Sequence, residues 1–199
     1  MSKKRLIVFG LAGAVLLIFA CFLVIKVTAK KEVPYSNELF KSLTKASPIT
    51  VKEDKSNHLR IEKISVDAKI VEVGLTKAGN MGVPGNSYDV GLYSKGAKPG
   101  AQGTAVLAGH LDSATGQPGV FAKLKQLSAG DVIKIISPEG KENSFNVTRT
   151  KLYGANDRPS EVFSSTSGSH LNLITCTGQW DKDNKQYDSR LVVFTDLIK

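Results

Sequence analysis

From Leu59 onward, short runs rich in β-branched residues recur between clusters of Gly, Asn, Asp and Pro. They occupy residues 59–64, 68–73, 103–109, 131–136, 143–152, 170–176 and 190–197. Turn signals separate them, among them Pro84-Gly85-Asn86, Lys98-Pro99-Gly100 and Ala129-Gly130-Asp131. Runs of this length and spacing predict an all-β barrel or sandwich of about 140 residues. One stretch departs from the pattern. Phe121, Leu124 and Leu127 recur every third residue and predict a helical turn. The sequence contains no internal repeat, heptad, Gly-rich phosphate loop or paired CxxC motif.

A chain of 199 residues has room for such a domain and one smaller part. Residues 6–25 form an uncharged, apolar run preceded by Lys3-Lys4-Arg5. As a helix, such a run spans roughly 30 Å, the thickness of a bilayer's hydrocarbon core. A cleaved signal peptide usually carries a shorter apolar stretch of about 7–15 residues. Val27-Thr28-Ala29 resembles a cleavage site, but Lys26 lies beside it. The run therefore reads as one uncleaved transmembrane helix. Three charges precede it and three follow closely; the cluster at the very N-terminus favours that end inside and residues 26–199 outside. The predicted organisation is a cytoplasmic tip at 1–5, an anchor at 6–25, a stalk at 26–58 and the β-rich domain at 59–199. The stalk is polar and Lys-rich, contains Pro34 and Pro48, and has room for a short helix near 38–43.

The net charge of +9 would suit a nucleic-acid partner, but its distribution argues against one. Six of the 27 basic residues fall within the first 31 positions, which hold no acidic residue. The remainder is nearly balanced, with 21 basic groups against 18 acidic ones. Cysteine usage is more informative. Cys21 lies within the apolar run, so Cys176 is the only thiol outside it and has no intrachain disulfide partner there. Exported cysteines are normally paired, and a lone one is either a buried bystander or a reactive group. Taken alone, this fact favours the bystander.

Three segments change that balance. Ala105-Val106-Leu107-Ala108-Gly109-His110 is an apolar strand ending in Gly-His. Leu171-Asn172-Leu173-Ile174-Thr175-Cys176 is an apolar strand ending in the lone thiol, and Arg190-Leu191-Val192-Val193-Phe194 opens with arginine. If the last two are antiparallel neighbours joined by a 177–189 loop, Arg190 lies beside Cys176. A thiolate attacks a carbonyl, and a nearby cation favours it over the thiol. His110 can serve as general acid and base, protonating a leaving amine. Arg190 offers a rigid fork of donors for a substrate carbonyl or developing oxyanion. Asp112 could orient His110 or cap the following turn. His170 is too far along its strand to be the base, and His58 falls in the stalk. Trp180 could contact substrate or pack on the barrel.

These segments resemble the sortases, cysteine transpeptidases of Gram-positive cell surfaces. That family's signature is a Thr-Leu-x-Thr-Cys strand, an upstream Gly-His at a strand end and an arginine opening the last strand. This sequence supplies Leu173-Ile174-Thr175-Cys176, Gly109-His110 and Arg190 in that order, with the likeness running from about Arg60 to Val193. It includes Val83-Pro84, Asp89-Val90-Gly91, the stretch 96–100 and the pattern from Phe121 to Asp131. The His-Leu-Asp-Ser-x-Thr-Gly run at 110–116 is most similar to the class F branch, with classes D and E next. Asn172 departs from the signature's first threonine, which bears on substrate preference more than on mechanism.

The resemblance implies a closed eight-stranded β-barrel with short helices, one strand more than the runs counted above, preceded by an N-terminal anchor. It implies Cys176 as nucleophile, His110 as acid and base and Arg190 as substrate or oxyanion stabiliser, with Thr175 and Asn172 as substrate-binding candidates. The implied substrate carries an LPxTG-like sorting signal. A thioacyl intermediate would pass the protein to an amine of a peptidoglycan precursor or a pilin lysine. No cofactor or metal is expected, since no acidic cluster calls for a hard cation. The expected location is the cell membrane, single-pass, with the catalytic domain extracellular. Two alternatives stand beside this reading: a membrane-tethered cysteine protease that releases its product to water, and a non-enzymatic surface binding module.

Overall fold

The structure, a computed structural model, describes residues 55–165 and 167–199. The expected tip, anchor and nearly all of the stalk lie outside these residues. No helix among the described residues is long and apolar enough to cross a membrane.

Eight strands close into one barrel. They are β1 (His58–Ile61), β2 (Val66–Val73), β3 (Val90–Tyr93), β4 (Gly103–Ala108), β5 (Val132–Ile136), β6 (Glu142–Gly154), β7 (Ser169–Asp181) and β8 (Gln186–Leu197). Around the barrel the order is β1-β2-β3-β4-β7-β8-β6-β5. Seven strands coincide with the apolar runs of the sequence. The eighth, β3, is four residues long and has Gly91 at its centre, which disguises it. Gly91 is needed there because a Cβ would meet Val73 Cγ1 at 2.8 Å. The run at 59–64 stops being a strand at Ile61 and tightens into a 3-10 turn, Glu62–Ile64. The triplet spacing of Phe121, Leu124 and Leu127 likewise yields a 3-10 turn, Leu124–Gln126, whose period of three places all three side chains inward. His58, assigned by sequence to the stalk, opens β1 and donates from Nδ1 to Asp67 Oδ1 at 3.1 Å.

Strand alternation divides the side chains of β4, β7 and β8 between two apolar environments. Ala105, Leu107, Leu171, Leu173, Leu191 and Val193 join the barrel core with Phe121 and Phe145. Their neighbours face outward: Val192 and Phe194 form a second cluster with Val162, and Ile174 and Tyr153 pack against it. Strands covered on both faces read as continuous apolar runs, which is why these three were the plainest in the sequence.

Two neighbouring pairs, β2 with β3 and β4 with β7, are parallel. Parallel neighbours require long connections, and that from β4 to β7 includes the barrel strands β5 and β6 themselves. Residues 74–89 form one of them, pinched by a bridge between Leu75 and Met81. The second contains a four-residue helix, α1 (Ser160–Phe163), which the sequence analysis did not identify. Asn172 Nδ2 donates to the Val162 carbonyl at 2.8 Å, and Ser165 N–H donates to Thr104 Oγ1 at 3.1 Å, fastening α1 to β7 and β4. Phe163 meets the Tyr93 ring edge-on at 5.7 Å.

Glu161 ties the other side of α1 to β6. It accepts from Arg149 at 2.8 Å, Lys151 at 2.6 Å and the Tyr153 hydroxyl at 2.5 Å. The Lys151 and Tyr153 hydrogen bonds hold its carboxyl down at about 2, against an ordinary 4.5. A depressed carboxyl stabilises the fold above its unfolded value, and the contribution fades as pH falls toward the folded one. Protection factors against hydrogen exchange at residues 160–163 should therefore fall as pH drops from 4.5 to about 2. Glu161→Gln should exchange faster already at pH 7 and lose this pH dependence.

Candidate active site

The two crossovers and the outward faces of β4, β7 and β8 enclose a cleft of about 580 Å³. Its floor includes Ala108, Ile174, Cys176, Arg190 and Val192. Leu75, Met81 and Val83 form one wall, while Pro159, Val162 and Phe163 form the other. His110 lies on the same cleft just beyond the end of β4. Cys176, His110 and Arg190, separated by up to 80 positions in sequence, are thus brought to one site.

Cys176 and Arg190 are direct register partners in the antiparallel β7–β8 ladder. Both share the outward parity of Ile174 and Val192, so thiol and guanidinium stand side by side over the cleft floor. Arg190 Nη1 donates to the carbonyls of Tyr187 at 2.8 Å and Ser189 at 2.9 Å. That contact fixes the fork while its remaining donors stay available to a substrate oxygen. Burial pushes the Cys176 thiol above its ordinary value; the Arg190 charge works against this and the Asp112 charge adds to it. In the resting site the sulfur is therefore mainly protonated at neutral pH, and attack on a carbonyl requires a base.

His110 is held by its surroundings rather than by a neighbouring carboxylate. Its Nε2–H donates to the Pro84 carbonyl at 2.9 Å. Because a carbonyl can only accept, the proton is on Nε2, and a neutral ring presents Nδ1 as the acceptor. Gly109 N–H donates to the Ile174 carbonyl at 3.1 Å, and the Thr175 hydroxyl donates to the Gly109 carbonyl at 2.9 Å. The residue before the imidazole is thereby latched to the two residues before the thiol. Gly109 leaves no room for a side chain, since a Cβ would lie 2.5 Å from the buried Phe121 ring. The 110–121 loop folds back on itself, with Phe121 N–H donating to the His110 carbonyl at 2.9 Å and Ser113 N–H to the Gln117 carbonyl at 2.8 Å.

The other sequence candidates occupy different places. Thr175 lines the cleft, but its side chain is buried and its hydroxyl is engaged with Gly109, which makes it a link between strands as well. Asn172 is buried and bonded to α1; it is not among the cleft-lining residues, so it reaches the cleft only through the wall it anchors. Asp112 accepts a hydrogen bond from the Tyr187 hydroxyl. His170 is bonded to Asp196 and to the Ser167 carbonyl at 2.7 Å each, away from the cleft. The supposed 177–189 loop is largely strand: beyond Cys176 and before Arg190 the hairpin continues through Trp180↔Tyr187 and Asp181↔Gln186. Polar residues and Gly178 hid it. A bulge between Thr177 and Trp180 breaks the alternation there, and Trp180 meets Tyr187 edge-on at 5.2 Å. Tyr187 and the Pro84 carbonyl were missed as members of the site. Among the described residues no group of three or more His, Cys, Asp or Glu side chains converges as metal ligands.

Two outcomes follow from this geometry. Arg190→Ala should slow alkylation of Cys176 at pH 7 and move its pH midpoint upward, because removing the cation disfavours the thiolate; iodoacetamide kinetics across pH measure this. Gly109→Ala should lower stability by about 1–3 kcal/mol through overpacking against Phe121, as read from denaturant unfolding.

Comparison with known proteins places this arrangement. The family described as "Sortase domain" matches residues 59–198. Among solved structures, the barrel is similar to Streptococcus agalactiae sortase C1 in complex with MTSET, at a TM-score of 0.58 and 22% identity over 73% of this chain and 70% of that one. A Clostridium perfringens sortase D5 transpeptidase matches at 0.56 and 24%, over 83% and 91% of the two chains. The lid mutant of Corynebacterium diphtheriae sortase A matches at 0.58 and 20%, over 83% and 81%. A comparison with curated proteins gives no match. The family match spans the whole barrel with its thiol-bearing cleft, and the chain belongs to the sortase family, which implies a cysteine transpeptidase.

Proposed function

We propose that Cys176, His110 and Arg190 carry out acyl transfer between an LPxTG-like sorting signal and an amine. The observation that carries this reading is the Cys176↔Arg190 register pair on a cleft that His110 also lines. His110 accepts the thiol proton, and Cys176 Sγ attacks the carbonyl carbon of the signal's threonine. Arg190 donates to the carbonyl oxygen as it gains negative charge. The C–N bond then breaks, the leaving amine takes the proton from His110, and a thioester remains on Sγ. An incoming amine attacks that thioester and forms a new amide. Its released proton passes through His110 to the departing sulfur, restoring the starting state. The apolar walls formed by Leu75, Met81, Val83 and Phe163 suit the leucine and proline of such a signal.

The 110–116 run supports the class F branch within the family. Residues 6–25 support a single-pass membrane anchor with the barrel outside, where a peptidoglycan precursor or pilin lysine would supply the amine. A mature N-terminus at Lys30 would overturn the uncleaved anchor.

Enzyme incubated with an LPxTG peptide and a glycine peptide should yield the ligated product, with an acyl-enzyme on Cys176 visible by mass spectrometry. Cys176→Ala should lower turnover by about 10³-fold or more. Formation of the hydrolysis product alone would show that water resolves the thioester for that pair. Full activity in Cys176→Ala, together with slow alkylation of the wild type, would leave only a binding module.

A further inference from the structure

Tyr187 touches both ends of the site. It lies three residues before Arg190 on β8, and its carbonyl accepts from Arg190 Nη1 at 2.8 Å. Its hydroxyl donates to Asp112 Oδ2, two residues beyond His110. Asp112 sits in the folded-back 110–121 loop, bridged to Pro118, so a tether there restrains the segment that follows the imidazole. The tyrosine is itself well placed. Its ring meets Trp180 edge-on at 5.2 Å across the extended hairpin, and the bulge at Gly178 bends the hairpin directly after Cys176. Gly178 has a φ of +89°, and a Cβ there would collide with the Asp188 carboxylate, so the bend depends on glycine.

We propose that Tyr187 is a positioning residue for acyl transfer, clasping the His110 loop through Asp112 while its backbone carbonyl orients the Arg190 guanidinium. This rests on the reading of Cys176, His110 and Arg190 as the transfer machinery. The clasp holds imidazole and guanidinium in register on either side of the sulfur, so that losing it misplaces one against the other without altering the apolar walls that bind peptide. The hydrogen bond to Asp112, followed by burial, holds the Tyr187 phenol above its ordinary value, so it remains a donor throughout the working range. The charged and titratable groups around the sulfur are Arg190 and Tyr187 on β8 and His110 and Asp112 in the loop, with Asp157 and Arg158 on the far wall.

The test uses the full chain. Tyr187→Phe keeps the ring and its packing on Trp180 and removes only the hydroxyl. It should lower kcat for peptide transfer to a glycine peptide by about tenfold and leave KM for the sorting peptide within about twofold. The pH midpoint of Cys176 alkylation should move upward, because the Asp112 carboxylate no longer shares its charge with a phenol. Asp112→Ala should lose as much kcat as Tyr187→Phe, and the double variant should be no worse than either single one. Asp112→Asn still offers the phenol an acceptor. It should recover most of the kcat lost in Asp112→Ala while moving the alkylation midpoint downward. Wild-type kcat and alkylation in Tyr187→Phe would overturn the clasp. So would losses that multiply in the double variant, no recovery in Asp112→Asn, or losses that vanish when each variant is assayed well below its Tm. If the wild type transfers no peptide, the transfer reading fails, and the alkylation profiles of these variants still decide the clasp.

Discussion

The register between β7 and β8 is the constraint on which the rest of the site depends. Side chains alternate along a strand, so a slip of one residue would carry Cys176 and Arg190 to the opposite face of the barrel wall. The observed register sends Leu173 and Val193 into the core and leaves the thiol and guanidinium outside as direct partners. The packing of large apolar side chains therefore enforces the placement of two reactive ones. No contact between sulfur and guanidinium has to supply that energy.

The cleft follows from a second constraint, the parallel pairing of β2 with β3 and β4 with β7. Parallel strands cannot be joined by tight turns, and the chain must travel back over the barrel before re-entering the sheet. Segments of these connections, residues 75–83 and 155–163, line the cleft over the strands that carry the candidate site residues. The same covering makes the thiol a poor acid. Burial opposes ionisation of Cys176 while Arg190 favours it, so the sulfur rests protonated beside a cation ready to stabilise charge that appears during reaction. Such a site avoids displaying a permanent thiolate.

Legibility differed from element to element, for physical reasons. The strands buried on both faces stood out because nearly every residue in them is apolar. β3 did not, since four residues with a glycine at the centre resemble a turn, and only the proximity of Val73 explains that glycine. The distal hairpin reads as a loop in the sequence because it projects beyond the core, where polar residues and a bulge remove the alternation that marks a strand. α1 spans one turn, too short for a helical period to show, and its anchors Asn172, Thr104 and Lys151 lie on strands β7, β4 and β6. Thr175 and Asn172 are substrate-binding candidates by family resemblance; folding adds that Thr175, which lines the cleft, also bonds to Gly109 and that the buried Asn172 bonds to α1.

By itself the sequence determined the class of fold, three candidate site residues and the basic chemistry open to such groups. Apolar periodicity, a lone thiol and residues stationed at strand ends are local properties that a linear text preserves. The tertiary structure supplied the antiparallel register that the expected pairing of Arg190 with Cys176 required, and it alone decided that the Pro84 carbonyl meets the His110 ring and that Tyr187 stands between Asp112 and Arg190. His110 and Pro84 are 26 positions apart, and Asp112 and Tyr187 are 75 apart. Barrel closure and crossover paths bring them together, and both depend on how the strands pack around a common core rather than on any single segment.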